Sequence, residues 1–191
     1  IKLIMAYTTI NKSTDYFNSK IYTGTGSSQS ITGIGHQPDL TVIKCRTAVE
    51  SAVWTDVLRG PTVTIKSDTS GSNDTISTGL TAFGTDGFTA GGNDAFNGNS
   101  QNYVSWNWKA NGAGSANTAG SISSTVSANT TAGFSIVKWY GTDAGATVGH
   151  GLGSVPKMII AKNLDYGSAE WTVYHHSLGN NKMIQLSTTA A

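Results

Sequence analysis

The sequence predicts an all-β protein, either an antiparallel β-sandwich or a barrel. Short apolar stretches recur at a spacing of about ten residues, separated by turns rich in Gly, Ser, Asn and Thr. No segment shows the 3.6-residue period of an amphipathic helix. Charged residues make up 12% of the 191 residues, against roughly 25% in ordinary globular chains. The polar uncharged residues that replace them favour turns over helices.

The elements follow one another along the first half of the chain. Residues 1–19 predict an N-terminal arm, which would be either a polar extended segment or a short helix with Ser13 or Thr14 near its cap. Residues 1–4 precede Met5, so we interpret them as lying outside the natural protein. The predicted strands after the arm are KIYTG, DLTVIKC, AVWTDVL, TVTIKS and two short strands around Thr85-Asp86-Gly87.

The segment NYVSWNWKA, residues 102–110, has the clearest strand pattern. Val104, Trp106 and Trp108 share one parity and are expected to face a core. Ser105, Asn107 and Lys109 would then face water.

The aromatic side chains have a second interpretation. Trp106 and Trp108, together with Trp139, could form a carbohydrate contact, because indole rings stack on sugars when they are exposed. Alternation with Val104 favours packing over sugar binding.

The chain divides into four parts on composition. A β-sandwich unit occupies residues 20–110, which we call repeat 1. Residues 111–132 contain no aromatic and no charged residue and predict a linker with one strand-like patch, SISSTV. Strand character resumes at residue 133, and residues 133–191 form the beginning of a second unit, repeat 2.

An internal repeat supports this division. GIGHQPDLTVIKC begins at Gly33, and GLGSVPKMIIAKN begins 118 residues later. A tryptophan follows each copy, with an offset of 117 residues because the intervening turns differ by one residue. The shared landmarks are Gly33, Gly35, Pro38, Lys44 and Trp54 in repeat 1 and Gly151, Gly153, Pro156, Lys162 and Trp171 in repeat 2.

Each landmark has an expected structural role. The paired glycines permit positive φ or close chain approach before a strand, and the proline can begin a strand but not occupy its centre. Leu40 with Val42, and Met158 with Ile160, are expected to face the core. The lysine at the end of each strand is expected to extend to the rim, the alternative being a pair with a buried carboxylate.

Repeat 2 lacks a counterpart of the tryptophan-containing strand that closes repeat 1. Half a sandwich cannot bury its apolar face. We therefore expect either that the natural chain continues beyond Ala191, which we favour, or that a partner completes repeat 2.

No motif predicts catalysis or a cofactor. The four histidines, His36, His150, His175 and His176, do not have metal-ligand spacing. Asp68, Asn73 and Asp74 could surround a calcium ion, but a solvated turn is favoured because their spacing fits no EF-hand loop. A net charge of +1 predicts no nucleic-acid partner, and no apolar run approaches the length of a membrane span.

Several segments of the chain resemble those of a known protein family. YTGTGSSQSITGIGHQPDLTVIKCR, GLTAFGTDGF, YVSWNWKA, GSISSTVSANTTAGFSIVKWYG and VGHGLGSVPKMIIAKN resemble tail-fibre-like virion proteins of marine bacteriophages. The resemblance covers nearly the whole chain and implies concanavalin A-like, jelly-roll β-sandwich units. Cys45 departs from it, because Asn163 occupies the matching position of repeat 2; we expect a buried or half-buried thiol there.

The resemblance implies a non-enzymatic function. The chain would be a structural and adhesion module of the virion, part of a tail fibre, assembled in the host cytoplasm. It would form a homo-oligomer, contact other virion proteins and bind a host surface glycan. The first alternative is a stand-alone, lectin-like carbohydrate-binding module. The second is a glycan-degrading enzyme, which would need two carboxylates in one groove.

Overall fold

The computed structural model describes residues 10–188 and confirms an almost entirely β fold with antiparallel sheets. The interpretation of residues 1–4 concerns a segment outside the described residues. Helical structure in the described part consists of one α-helical turn, α1 (Asp94–Asn97), and two 3₁₀ turns, Ser13–Asp15 and His176–Leu178. None of these helices has the length and apolar character needed to cross a membrane.

Repeat 1 and the residues before it contain nine strands. Phe17–Thr23 already pairs with the sheet, so the regular structure begins inside the predicted arm. The strands are β1 (Phe17–Thr23), β2 (Gln29–Thr32), β3 (Leu40–Cys45), β4 (Val53–Asp56), β5 (Val63–Lys66), β6 (Asp74–Thr75), β7 (Leu80–Gly84), β8 (Gly87–Ala90) and β9 (Asn102–Trp108).

These nine strands form two antiparallel sheets. The larger has the order β1-β9-β3-β4-β5-β6, and the smaller has the order β2-β8-β7. Both contribute to one buried cluster: Ile43, Val53 and Tyr103 come from the larger sheet, and Leu80 and Phe88 from the smaller. Two sheets that share one apolar cluster are consistent with the expected β-sandwich.

The predicted facing of β9 is wrong. Tyr103, Ser105 and Asn107 are the fully buried residues of this strand, and Trp106 and Trp108 are half-buried on the other face. The inner face tolerates small polar groups because they are satisfied there. The amide of Asn107 donates to the Asn18 carbonyl and to Ser105 Oγ, at 3.1 and 3.0 Å.

The prediction for β3 also needs correction. Ile43 and Cys45 belong to the buried cluster between the sheets. Val42 is buried too, but on the outer face, where its cross-strand neighbours are Trp54 and Trp106. The thiol of Cys45 is buried, as expected.

The second half of the chain forms two small sheets. Strands β10 (Ser115–Asn117), β11 (Ser124–Asn129) and β12 (Phe134–Trp139) form one, and β13 (Met158–Ala161), β14 (Thr172–His175) and β15 (Ile184–Gln185) form the other, each in chain order. The segment 111–132, expected to be a linker, therefore contains two strands that pair towards repeat 2. Ser127 anchors it, because its hydroxyl accepts from Asn111 N and donates to the Gly112 carbonyl.

The expected burial of Met158 and Ile160 is not observed. Both side chains are exposed, at 53% and 37%, and Ile159 on the opposite face is 47% exposed. The cause is that strand β13 lies at the edge of a sheet with only three strands.

Candidate functional site

The two tryptophan landmarks of the repeat contact each other. Trp54 on β4 and Trp171 just before β14 have ring centroids 5.1 Å apart, with planes inclined at 51°. Trp171 is only 2% exposed, and its indole Nε1 donates to the Lys66 carbonyl at 2.9 Å. We call this the inter-repeat contact, because it joins the outer face of the larger sheet to repeat 2.

Lys162 extends the inter-repeat contact. Its ammonium group donates to the carbonyls of Ser70, Asn163 and Ala169 at 3.0, 2.8 and 2.8 Å. Burial lowers the pKa of Lys162, and the charge of Glu170 opposes that shift only in part. A half-buried cation that binds three carbonyls holds the loop after β13 in place and fastens it to the β5–β6 loop of repeat 1.

Lys44 has a related role in repeat 1. Its ammonium group donates to the carbonyl of Glu50, in the loop that leads to Trp54. Lys162 likewise binds the loop that leads to Trp171. Both lysines reach the strand end, as expected, and their partners there are backbone carbonyls.

The glycines of the repeat have the expected conformation. The φ angles of Gly33 and Gly35 are 79° and 93°, and those of Gly151 and Gly153 are 72° and 69°. Only glycine adopts this region without strain. Pro38 and Pro156 lie two residues before β3 and β13, as expected for residues that precede a strand.

Asp86 binds the glycines of this motif, and the sequence did not identify that role. It lies in the two-residue turn between β7 and β8, and its carboxylate accepts from Gly35 N at 2.6 Å and from Gly33 N at 2.9 Å. These backbone donors lower the pKa of Asp86. The Asp-Gly turn was visible in the sequence, but its partner, 51 to 53 residues away, was not.

A buried ion pair was also missed. Arg59 Nε lies 2.6 Å from Asp56 Oδ2, with both side chains more than nine-tenths buried. The carboxylate also accepts from Leu58 N, and the guanidinium donates to the Trp54 carbonyl. The i, i+3 spacing was the available signal. The pair fixes the turn that joins β4, which contains Trp54, to β5, which contains Lys66.

The proposed sugar-contact residues have different environments. The Trp108 ring lies 4.9 Å from Phe17 and 6.2 Å from Phe134, so it is used in packing. Trp106 is half-buried beside Val42. Trp139, at the end of β12, is 42% exposed and is the accessible one of the three.

The histidines and the acidic residues of the β5–β6 loop do not form a common metal site in the described part of the chain. His36 is buried, with Nδ1 3.1 Å from the Thr14 carbonyl. His176 Nε2 lies 3.4 Å from Ser177 Oγ. Asn73 and Asp74 line an open cavity of about 290 Å³ that also contains Lys66. Across residues 10–188, no three His, Cys, Asp or Glu side chains form a cluster that could hold a metal ion.

The fold and the site together define an all-β domain in which two copies of one strand-entry motif are joined by an aromatic contact. The chain belongs to a family of domains of unknown function, DUF7483, whose model matches residues 12–191. The match includes both copies of the motif. No curated protein and no solved structure matches the chain.

Proposed function

We propose that this chain is a non-enzymatic structural and adhesion module of a bacteriophage virion, part of a tail fibre that presents loops to the host surface. The observation that carries the proposal is the inter-repeat contact. The contact between half-buried Trp54 and buried Trp171, together with the bonds from Lys162, couples the repeats. Coupled units resist bending, whereas units on a free linker do not.

The loops suit recognition. The β5–β6 loop, residues 67–73, is built from Ser, Asp, Thr, Gly and Asn, and it is held at its base by Asn73 N, which donates to the Leu164 carbonyl at 3.2 Å. Polar loops on a rigid β scaffold are a common way to present binding groups. A host glycan is the surface ligand that we propose.

Assembly would use the apolar surface of repeat 2. Most of the large exposed hydrophobic side chains lie between Trp139 and Leu186. Apolar patches of this kind mark sites of protein association. Partners in the particle would be further copies of the chain and other virion proteins; we propose no cofactor.

Immunogold electron microscopy tests the virion proposal. Antibodies raised against the full chain should label purified phage particles of the host culture at the fibres, and label should disappear when the antibodies are first absorbed with the chain. Label confined to host debris, with none on purified particles, would contradict the proposal.

A stand-alone carbohydrate-binding module is the second candidate, supported by the exposure of Trp139 and the adjacent Tyr140. Saturable binding on a glycan array that Trp139→Ala abolishes would favour it. Tyr166→Ala is the matched control, because Tyr166 is also exposed but lies in the loop between β13 and β14. Equal loss in both variants would argue against a site at Trp139.

A further inference from the structure

Two strands in the second half of the chain have an unpaired edge. Strand β12 is the last strand of its sheet, and β13 is the first strand of the next. Within residues 10–188, no strand pairs with the outer edge of either one. Such edges present free backbone N–H and C=O groups and are templates for strand addition.

Comparison of the two repeats indicates which strand is expected between the edges of β12 and β13. The offset of 118 residues places Lys20 and Tyr22 on Lys138 and Tyr140, so β12 corresponds to β1. The same offset places Leu40 on Met158, so β13 corresponds to β3. In repeat 1, β9 pairs with β1 on one side and with β3 on the other. A strand with the character of β9 is therefore expected between β12 and β13.

The tyrosines at equivalent positions of the two repeats, Tyr22 and Tyr140, differ in burial, which also indicates a missing strand. The ring of Tyr22 stacks on Tyr103 of β9 at 5.2 Å, and its hydroxyl donates to the Phe96 carbonyl at 2.6 Å. Tyr140 is 77% exposed. An aromatic residue that is packed in one copy and exposed in the other marks a missing neighbour.

The glycine motif gives independent evidence for a carboxylate. In repeat 1, the N–H groups of Gly33 and Gly35 bind Asp86. Gly151 and Gly153 have nearly the same φ angles, but no described residue accepts from their N–H groups. Successive N–H groups in such a loop form an anion-binding nest.

We propose that β12, β13 and the Gly151–Gly153 loop form an acceptor site for a donor polypeptide segment built like residues 80–108. The donor would bring a hairpin whose turn carries an Asp for the glycine nest, followed by a strand with alternating tryptophans that pairs with both edges. The positive nest and the acidic turn are complementary in charge. A second folded copy of the chain is a poor donor, because its β9 is already paired on both edges. The proposal does not depend on the virion assignment.

A synthetic peptide of residues 80–110 tests the site against the full chain by amide hydrogen exchange. The peptide should slow exchange in residues 134–139 and 158–161 while leaving residues 40–45 unchanged. An Asp86→Asn peptide should bind about tenfold more weakly, because hydrogen bonds to a charged acceptor are lost. A Ser105→Pro peptide, which cannot complete the ladder, should give no protection.

Chain variants provide the matched comparison. Tyr140→Ala should weaken peptide binding, and Tyr166→Ala should not, because Tyr166 lies outside the proposed site. Absence of protection, or equal protection by the Ser105→Pro peptide, would overturn the proposal. So would protection of the same strands in the chain alone that rises with its concentration alongside a dimer mass in sedimentation, because the occupant would then be a second copy.

Discussion

Trp171 is the residue whose loss should most clearly separate the two repeats. It is almost fully buried, contacts Trp54 and donates one hydrogen bond to the Lys66 carbonyl. Replacing a buried tryptophan by alanine costs about 3–5 kcal/mol. Within that total, the aromatic pair accounts for roughly 1 kcal/mol and the hydrogen bond for about 1 kcal/mol. We therefore expect Trp171→Ala to lower the free energy of unfolding by about 4 kcal/mol.

Urea unfolding followed by circular dichroism measures this loss. Trp171→Phe keeps a ring against Trp54 but removes the N–H donor, so it should cost much less than Trp171→Ala. Trp139→Ala is the exposed control and should change the stability by less than about 1 kcal/mol. A double-mutant cycle with Trp54→Ala should give a coupling energy of about 1 kcal/mol.

Two results would refute this reasoning. A loss of unfolding free energy below about 1 kcal/mol for Trp171→Ala would be no larger than that of an ordinary surface substitution. Strict additivity of Trp54→Ala and Trp171→Ala would show that the rings do not stabilise each other. Either result would also remove the support that the inter-repeat contact gives to a rigid structural module.

Three further predictions concern the loops. The lowered pKa of Asp86 means that its stabilising effect is present above the ordinary carboxyl pKa and is lost as the pH falls through the lowered value. Asp86→Asn should therefore flatten the acid side of a profile of melting temperature against pH, below the ordinary carboxyl pKa. Gly151→Ala should destabilise more than Gly153→Ala in urea unfolding, because both glycines have positive φ but only at Gly151 would a Cβ meet other side chains, at 2.9–3.0 Å. Lys162→Met should speed amide exchange in residues 162–171, because it leaves three carbonyls without their donor, including that of Ser70; unchanged exchange would show that the ammonium does not hold the loop.

The local features of the fold could be predicted from the sequence because they depend on neighbouring residues. Strands β3, β4, β5 and β9 and the Thr85-Asp86 turn lie where alternation and turn residues place them. The positive φ of the repeat glycines was predictable for the same reason. The strands β6 and β15 were missed, because two residues are too few to establish a period.

The candidate site was predictable only in part. The repeat identified Trp54, Trp171 and both lysines as structural landmarks. It could not show that the two tryptophans touch each other, because a periodic pattern gives the face of a residue but not its partner. Asp86 was missed for the same reason, since its two acceptor bonds join segments distant in the chain.

The inverted facing of β9 has a physical cause that also bears on the domain boundary. Both faces of the larger sheet are covered: the smaller sheet packs on one, and Phe134 and Trp171 contact the aromatic residues of the other. Alternation cannot distinguish two covered faces. Side-chain size distinguishes the two faces here. Small polar residues such as Thr41 and Asn107 fit the inner face because they bind each other, the Thr41 hydroxyl donating to Asn107 Oδ1 at 3.2 Å. Trp54 and Trp108 fit the outer face because Trp171 and Phe134 of repeat 2 contact them there. Repeat 1 therefore relies on the second half of the chain for the cover of its outer face, which is consistent with a family domain that spans both halves.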